Sequence, residues 1–196
     1  QGIRLAEVEL GEVVAVIGLG LLGQLTVQML KAAGCIVAGT DPQPDRVALA
    51  LRLGADVATV SPDELQALVA ARSSGHGADA VLITADTPSS QPVELAGRVA
   101  RDKGRVVAVG AVGLQIPRKI YYEKELDFRV SRSYGPGRYD SSYEEQGHDY
   151  PYAYVRWTEQ RNMEAFVQLL SAGKVDVHAL VTHRFPIDAA PEAYEL

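Results

Sequence analysis

The fold of this chain is decided near its beginning, by the stretch Val13-Val-Ala-Val-Ile-Gly-Leu-Gly-Leu-Leu-Gly23. Its first five residues are all apolar, which is typical of a parallel strand that is covered on both faces. Glycines follow at Gly18, Gly20 and Gly23, and the amphipathic residues 22–33 come next. The stretch therefore predicts a buried strand, a tight turn and a helix.

The three glycines have the spacing of a turn that binds phosphate. Gly18 permits the turn, Gly20 lets a pyrophosphate approach the backbone, and Gly23 lets the helix pack closely on the sheet. Leu21 and Leu22 lie in the first helical turn, where N–H groups lack intrahelical partners and the helix dipole is positive. The motif predicts a dinucleotide site. The alternative is a turn that only joins two elements.

An acidic residue follows at the distance that this motif requires. Asp41 lies 18 positions beyond Gly23, at the end of the second predicted strand, where its carboxylate can accept hydrogen bonds from a ribose diol. A 2′-phosphate would be repelled there, so NAD is favoured over NADP. Alternatively, Asp41 only caps the turn at Asp41-Pro42. Arg46 either reaches the ribose and weakens the preference for NAD, or is a solvated residue of a helix face.

Apolar runs and amphipathic segments alternate along most of the chain, which predicts a doubly wound α/β fold with helices on both faces of the sheet. Six parallel strands are expected in the Rossmann order 3-2-1-4-5-6, over residues 13–17, 35–39, 56–60, 80–84, 105–109 and 128–133. Ser61, Ser89 or Ser90, and Thr158 are predicted helix caps. A last strand is expected over residues 181–185. Residues 134–157 contain six of the nine tyrosines and interrupt the pattern.

The composition excludes several classes of protein. The 196 residues are 47% hydrophobic and 22% charged, which fits one globular domain and no membrane span. A net charge of −6 argues against nucleic acid as a partner. The single Cys35 excludes an internal disulfide, and a cytoplasmic location is expected. The chain begins without Met and stops at the start of a predicted helix, so residues 1–196 are interpreted as a domain excised from a longer protein.

The sequence resembles the nucleotide-binding domain of the medium-chain, zinc-type alcohol dehydrogenase superfamily. The resemblance rests on residues 13–41, Asp45-Arg46, residues 53–56, 77–84 and 103–110, and His183-Arg-Phe-Pro186. It implies that Thr84 and Ala85 lie by the adenosine half of NAD. It also implies that Val109, Gly110 and Ala111 line the nicotinamide, and that the backbone of Ser133 and Tyr134 holds its carboxamide.

The resemblance further implies an oxidoreductase that transfers hydride between NAD and a small alcohol or carbonyl substrate. In this superfamily the zinc ligands and the proton relay come mainly from a separate barrel-like domain, so zinc is expected only in that missing catalytic domain. Pairing through the edge strand makes a homodimer an expectation. Residues 132–140 and 149–162 also resemble bacterial two-part oxidoreductases joined to a glucose–fructose oxidoreductase-type module, which suggests a sugar-like substrate.

Other sites and functions remain as alternatives. The four histidines, His76, His148, His178 and His183, have no zinc-ligand spacing. The tyrosine-rich insertion, residues 134–157, is either a surface for a sugar or partner or a loop that covers a helix end. Arg138, Arg156 and Arg161 either meet an anionic substrate or pair with nearby glutamates. A non-catalytic nucleotide-binding or interaction module is the rival function, and a Rossmann-like methyltransferase is a third hypothesis.

Overall fold

The computed structural model describes residues 1–195. It contains one six-stranded sheet, in which every strand is parallel to its neighbours and the order is β3-β2-β1-β4-β5-β6. The predicted doubly wound Rossmann sheet is therefore confirmed. The strands are β1 Val13–Ile17, β2 Ile36–Thr40, β3 Val57–Thr59, β4 Ala78–Ile83, β5 Ala100–Ala108 and β6 Asp127–Val130.

Helices follow most of the strands. They are α1 Gly2–Ala6, α2 Leu21–Ala32, α3 Pro44–Arg52, α4 Pro62–Arg72, α5 Gln91–Val99, α6 Arg118–Glu123, α7 Ser141–Glu144, α8 Glu159–Ser171 and α9 Ala190–Ala193. Two short 3-10 turns, His178–Leu180 and Ile187–Ala189, lie in the C-terminal segment. No helix in residues 1–195 is both long enough and apolar enough to cross a membrane.

Two apolar cores lie on opposite faces of the sheet, since successive residues of β1 point to alternate sides. Val13, Ala15 and Ile17 belong to the core under α4, α5 and α6. Val14 and Val16 belong to the core under α1, α2 and α3. All five residues of β1 are buried, as expected for the central strand of a sheet covered on both faces.

The chain reverses its winding direction between β1 and β4, because β1 pairs with β2 on one side and with β4 on the other. Crossovers from β1 run outward to β2 and β3, whereas those from β4 run outward to β5 and β6. A crevice opens at the carboxyl ends of strands at such a point, and ligands of open α/β sheets bind there.

Two of the predicted helix caps form as expected. The Ser61 side chain accepts the N–H of Glu64, and the Thr158 side chain accepts the N–H of Arg161. Ser90 occupies the N-cap of α5 but makes no capping bond, because its hydroxyl accepts the N–H of Gln115 instead.

Three predictions were wrong in detail. Residues 181–185 form no strand, because no strand in residues 1–195 runs beside them and they lie exposed at the surface. β5 begins at Ala100, where α5 was expected to continue, through an irregularity in its pairing with β4. The helices α1, α6 and α7 were not predicted, and α7 lies inside the tyrosine-rich insertion.

Candidate functional site

The glycine-rich turn joins β1 to α2 in the way that the motif predicts. Gly18 has φ +94°, and a Cβ there would lie 2.5 Å from the backbone nitrogen of Ala85. A Cβ on Gly23 would lie 2.0 Å from the carbonyl oxygen of Gly18. A Cβ on Gly20, by contrast, would meet nothing within 4 Å. Gly18 and Gly23 are thus required by packing, whereas Gly20 faces open space.

The first turn of α2 faces this open space. Gly20 is the N-cap and provides no side-chain cap, and the first intrahelical bond runs from the N–H of Gln24 to the carbonyl of Gly20. Leu21 and Leu22 remain 63% and 52% exposed, although both are apolar. Their N–H groups, with the positive end of the helix dipole, can therefore bind an anion.

Asp41 lies directly after β2 and is 4% exposed. Its Oδ2 accepts the N–H of Leu19 at 2.8 Å, and its Oδ1 accepts the N–H of Gln43 at 2.9 Å. The carboxylate thus caps the local turn, as one interpretation predicted, and also contacts the glycine-rich turn. The two interpretations of Asp41 are compatible, because a carboxylate has about four acceptor positions and three are in use, the third by Arg46 at 3.5 Å.

Arg46, in the first turns of α3, lies at the rim of the same site. Its guanidinium is 3.5 Å from Oδ2 of Asp41 and 54% exposed. An ion pair this exposed contributes little to stability. Arg46 thus lies beside Asp41 with more than half of its side chain exposed, and its role toward a ligand stays a prediction.

A cleft of about 960 Å³ brings most of the predicted residues together at the carboxyl ends of the strands. Eight predicted site residues line it, namely Gly18, Gly20, Leu21, Leu22, Asp41, Arg46, Thr84 and Ala85. Thr84 is buried, and its hydroxyl donates to the carbonyl of Gly18 at 2.5 Å. The switch point between β1 and β4 therefore forms the floor of the cleft.

The other predicted residues do not line this cleft. Gly23 lies beneath the turn, and a Cβ on Gly110 would lie 2.0 Å from the carbonyl oxygen of Ala85. Val109 and Gly110 both donate their N–H to the carbonyl of Ile83, and Ala111 accepts the N–H of Thr87. These three residues support the β5 side of the floor.

Ser133 and Tyr134 lie beyond β6. Ser133 has φ +43°, a region that residues other than glycine rarely adopt. Tyr134 is 55% exposed, and its carbonyl accepts the amide of Asn162 at 2.9 Å.

Gln24 is a site residue that sequence reasoning missed. It is 2% exposed, and its amide nitrogen donates to the carbonyls of Leu19 and Arg46, each at 2.8 Å. Gln24 therefore ties the glycine-rich turn to α3. Its Oε1 is buried without a partner in residues 1–195. The only signal in the sequence is a long polar side chain directly after Gly23, on a helix that should face the sheet.

The far wall of the cleft was also missed. Residues of α4 and α5 form it, and there Arg98 pairs with Asp63 at 3.4 Å. Asp86 and Glu94 add two further acidic side chains to the lining. With Asp41 and Asp63, four carboxylates face two guanidiniums, so the lining carries a net negative charge.

The tyrosine-rich insertion is held together by its own side chains. Tyr143 stacks on Tyr150 with ring centroids 5.5 Å apart, and the Tyr143 hydroxyl donates to Thr158, the N-cap of α8, at 2.9 Å. Tyr150 donates to Asp140, and this hydrogen bond lowers the pKa of Asp140. The insertion does cover a helix end, as one interpretation predicted.

The three arginines predicted to meet an anionic substrate or nearby glutamates have different partners. Arg138 pairs with Glu144, as expected. Arg161 pairs with Asp149 at 2.6 Å rather than with a glutamate, and this hydrogen bond lowers the pKa of Asp149. Arg156 stacks on Trp157 with its guanidinium carbon 3.9 Å from the ring centroid.

Residues 1–195 contain no group of three or more His, Cys, Asp or Glu side chains that could hold a metal ion. Cys35 is buried beside β2, and its burial raises the pKa of the thiol. The side chains of residues 1–195 therefore do not fit a zinc site of three or more ligands.

The sequence is similar to those of several known dehydrogenases. It is 33% identical over 180 residues to an alcohol dehydrogenase of Rhizobium meliloti, covering 90% of this chain and 52% of that protein. It is 27% identical over 200 residues to D-guloside 3-dehydrogenase of Escherichia coli, covering 99% of this chain and 53% of that enzyme. The chain thus spans about half the length of the curated relatives it matches.

Solved structures show the same fold. An alcohol dehydrogenase from Thermus sp. ATN1 superposes with a TM-score of 0.74 at 24% identity, covering 100% of this chain and 51% of that one. An Escherichia coli oxidoreductase/dehydrogenase of unknown specificity gives a TM-score of 0.76 at 22% identity, covering 99% of this chain and 49% of that one.

The family comparison identifies the chain. Residues 22–146, more than half of its length, match the zinc-binding dehydrogenase family. The matched region contains α2 except for its first residue, Asp41 and the strands β2 to β6. This chain belongs to the zinc-binding dehydrogenase family, as a nucleotide-binding domain of the medium-chain alcohol dehydrogenase superfamily.

Proposed function

We propose that this chain binds NAD(H) and orients the nicotinamide for hydride transfer to or from an alcohol or carbonyl substrate. One observation carries the proposal: the carboxylate of Asp41 and the open first turn of α2 line the same cleft. A diphosphate on the N–H groups of Leu21 and Leu22 would leave the adenosine ribose beside Asp41.

The residues present fit a dinucleotide. Gly20 leaves room for a pyrophosphate against the backbone, since a Cβ there meets nothing within 4 Å. The cleft of about 960 Å³ is at the upper end of the range for small-molecule sites, roughly 300–1,000 Å³. Leu21 and Leu22, apolar and exposed, would be covered by such a ligand.

The charges favour NAD over NADP. Asp41 is buried beside the expected ribose, and a 2′-phosphate would add about two negative charges next to it. Asp63, Asp86 and Glu94 add further negative charge to the lining. Arg46 opposes this effect, but its guanidinium is already 3.5 Å from the Asp41 carboxylate.

NAD, when bound, supplies the hydride chemistry, while this chain binds and orients it. Thr84 and Ala85 are proposed to contact the adenosine half. Val109, Gly110 and Ala111 are proposed to lie under the nicotinamide, and the backbone of Ser133 and Tyr134 to hold its carboxamide. The support for these last five residues is their position at the carboxyl ends of β5 and β6.

The names of the relatives support the substrate class. They include an alcohol dehydrogenase, a D-guloside 3-dehydrogenase and a D-arabitol-phosphate dehydrogenase. We propose a small, hydroxyl-bearing substrate for this protein. Since the relatives are about twice as long, we also propose that a second domain supplies the catalytic residues and any zinc. The homodimer and the fusion to a second dehydrogenase stay predictions.

Titration of the chain with NADH, followed by calorimetry, tests the proposal. We expect saturable 1:1 binding of NADH and weaker binding of NADPH. S-adenosylmethionine should not displace NADH, which separates the proposal from the methyltransferase hypothesis. Absence of NADH binding at millimolar concentration by a chain with an intact circular dichroism spectrum would contradict the proposal.

A further inference from the structure

A second cavity lies in the tyrosine-rich insertion, apart from the cofactor cleft. It has a volume of about 400 Å³, and its polar lining comes from Gln1, Arg132, Arg138, Tyr139, Asp140 and Tyr150. We call it the insertion pocket. Its volume is within the range of small-molecule sites, roughly 300–1,000 Å³.

Close backbone contacts shape the insertion pocket. A Cβ on Gly135 would lie 2.6 Å from Oε1 of Gln1, and one on Gly137 would lie 2.7 Å from the ring of Tyr143. Both glycines have positive φ, +109° and +106°. Tyr139 has φ +65°, which is uncommon for a residue with a side chain. Strained backbone of this kind persists only where the surroundings impose it, and it clusters at ligand sites.

The lining offers donors and acceptors together. Arg132 forms no ion pair within residues 1–195, and its guanidinium carbon lies 4.8 Å from the ring centroid of Tyr139. Arg138 pairs with Glu144, but its Nε is buried without a partner in the described chain. Oδ2 of Asp140 accepts the hydroxyl of Tyr150, which also lines the pocket, and Oδ1 accepts the N–H of Ser142, which does not.

These features select the class of ligand. The lining has two guanidiniums and one carboxylate, and Glu144 outside the lining neutralises Arg138. The small remaining charge disfavours a polyanion, and the many polar groups disfavour an apolar ligand. A polyol hydroxyl both donates and accepts hydrogen bonds, so it can satisfy both kinds of lining group. The Tyr139 ring is 63% exposed, and the guanidinium carbons of Arg138 and Arg132 lie 4.2 and 4.8 Å from its centroid. The C–H face of a sugar ring can stack on the part of the ring that stays exposed.

The insertion pocket adjoins the end of the sheet where the nicotinamide is proposed to lie. The N–H of Ser131, next to Arg132, donates to the carbonyl of Ala108 at the end of β5. On the other side, Gly2 follows Gln1, and a Cβ on Gly2 would lie 2.5 Å from Cγ2 of Val109. Both walls of the pocket are thus attached to the β5 edge of the floor.

We infer that the insertion pocket binds a polyhydroxylated substrate, a sugar ring or a polyol, through Arg132, Tyr139 and Asp140. This inference rests on the proposed NAD(H) function for the chemistry that follows binding, but binding of the sugar itself can be measured alone. It gives the insertion a function besides the contact of Tyr143 with Thr158 at the start of α8.

Saturation-transfer NMR with the full chain tests the inference, in the presence and absence of NADH. The probes are methyl β-D-glucopyranoside and D-glucitol. Cyclohexanol is the apolar probe, and inorganic phosphate, which has no C–H proton to observe, is the anionic competitor whose binding is followed by displacement of the probes. We expect both hydroxylated probes to bind and to exclude each other. Tyr139→Ala and Arg132→Met should each raise their Kd by about tenfold, since each removes a ring face or a charged donor. Tyr154→Ala, 88% exposed and outside the pocket, is the matched control.

The outcomes separate the two proposals. Unchanged NADH affinity in Arg132→Met and Tyr139→Ala shows that the variants fold, and Arg132 is exposed enough to be replaced without loss of packing. Binding of cyclohexanol without the hydroxylated probes, displacement of those probes by phosphate, or probe binding that both substitutions leave unchanged, overturns the inference. Sugar binding without any NADH binding would instead overturn the proposed function and leave the pocket assigned.

Discussion

Oδ2 of Asp41 accepts a hydrogen bond from the N–H of Leu19 at 2.8 Å, which joins the end of β2 to the glycine-rich turn after β1. The acid proposed to bind the ribose is therefore positioned by the same turn that is proposed to bind the diphosphate. Gln24 adds a second link, since its amide donates to the carbonyls of Leu19 and Arg46. Both halves of the adenosine site thus form one connected unit.

Replacing Asp41 by Asn removes the charge but keeps the size of the side chain. We expect the Kd of NADH to rise by about 10- to 100-fold, because charged hydrogen bonds to the ribose are lost. The Kd of NADPH should change less, since the repulsion of its 2′-phosphate disappears at the same time. Calorimetric titration of both cofactors measures the two changes.

Asp45→Asn is the control for this experiment, because Asp45 is an exposed acid in the first turn of α3. It should leave both affinities within about twofold, as expected for a surface change. An equal loss of NADH and NADPH binding in Asp41→Asn would show that Asp41 only supports the turn.

Gly20→Ala and Gly23→Ala should separate binding from folding. A methyl group on Gly20 meets no protein atom within 4 Å. The melting temperature of the Gly20→Ala variant should therefore stay close to that of the wild type, while NADH binding weakens. A methyl group on Gly23 would lie 2.0 Å from the Gly18 carbonyl, so we expect a loss of about 1–3 kcal/mol of stability. Thermal unfolding and NADH titration of both variants check this. Normal NADH affinity in Gly20→Ala would mean that no ligand approaches that backbone.

Gln24→Leu tests the link between the turn and α3. The substitution leaves the buried carbonyl of Leu19 and the partly buried carbonyl of Arg46 without their donor, and we expect about 1–3 kcal/mol of destabilisation in urea unfolding. Gln160→Leu, on the exposed side of α8, should change the free energy of unfolding by less than about 0.5 kcal/mol. Similar values for the two variants would refute the structural role of Gln24.

The stability of the fold should depend on Asp56 in a pH-dependent way. Burial alone would raise the pKa of Asp56, but hydrogen bonds from Lys31 and from the N–H of Val37, each 2.7 Å long, outweigh it and lower the pKa below its ordinary value of 3.8. A lowered pKa in the folded state contributes stability above the unfolded value, and this contribution is lost as pH falls through the folded value.

Asp56→Asn should therefore lower the melting temperature most above about pH 5. The difference from the wild type should shrink below pH 3.8, the ordinary pKa of the group. Asp102→Asn, which replaces an exposed acid at the start of β5, is the control variant. Thermal unfolding between pH 2.5 and pH 7 compares the three proteins. A difference that is constant over this range would exclude the ionic contribution.

The sheet could be predicted because its signals are local. The unbroken apolar run of β1, and the glycines Gly34 and Gly54 with positive φ after α2 and α3, are visible in short windows of sequence. The helix α1 could not be predicted, because its stability depends on distant residues. Arg129 and Arg105 donate to the carbonyls of Leu5 and Glu7 from 124 and 98 residues away.

The candidate site, too, was predicted where its signals are local and missed where it depends on distant residues. The glycine spacing and the distance to Asp41 predicted one wall of the cleft, because both lie within a single β-α-β unit. The opposite wall depends on how α5 lies over the sheet. The sequence around Glu94 and Arg98 therefore did not indicate that these residues line the cleft. The predicted strand over residues 181–185 failed for a related reason: an extended, alternating pattern forms a strand only where another strand is free to pair with it.

The close contacts at Ala85 limit how this domain can change. A Cβ on Gly18 would lie 2.5 Å from the Ala85 nitrogen, and one on Gly110 would lie 2.0 Å from its oxygen. The loops after β1, β4 and β5 thus meet at Ala85 without room for one additional carbon atom. Protein engineering aimed at a different nucleotide must therefore leave these three positions alone and act at the rim, where Arg46 is free to be exchanged.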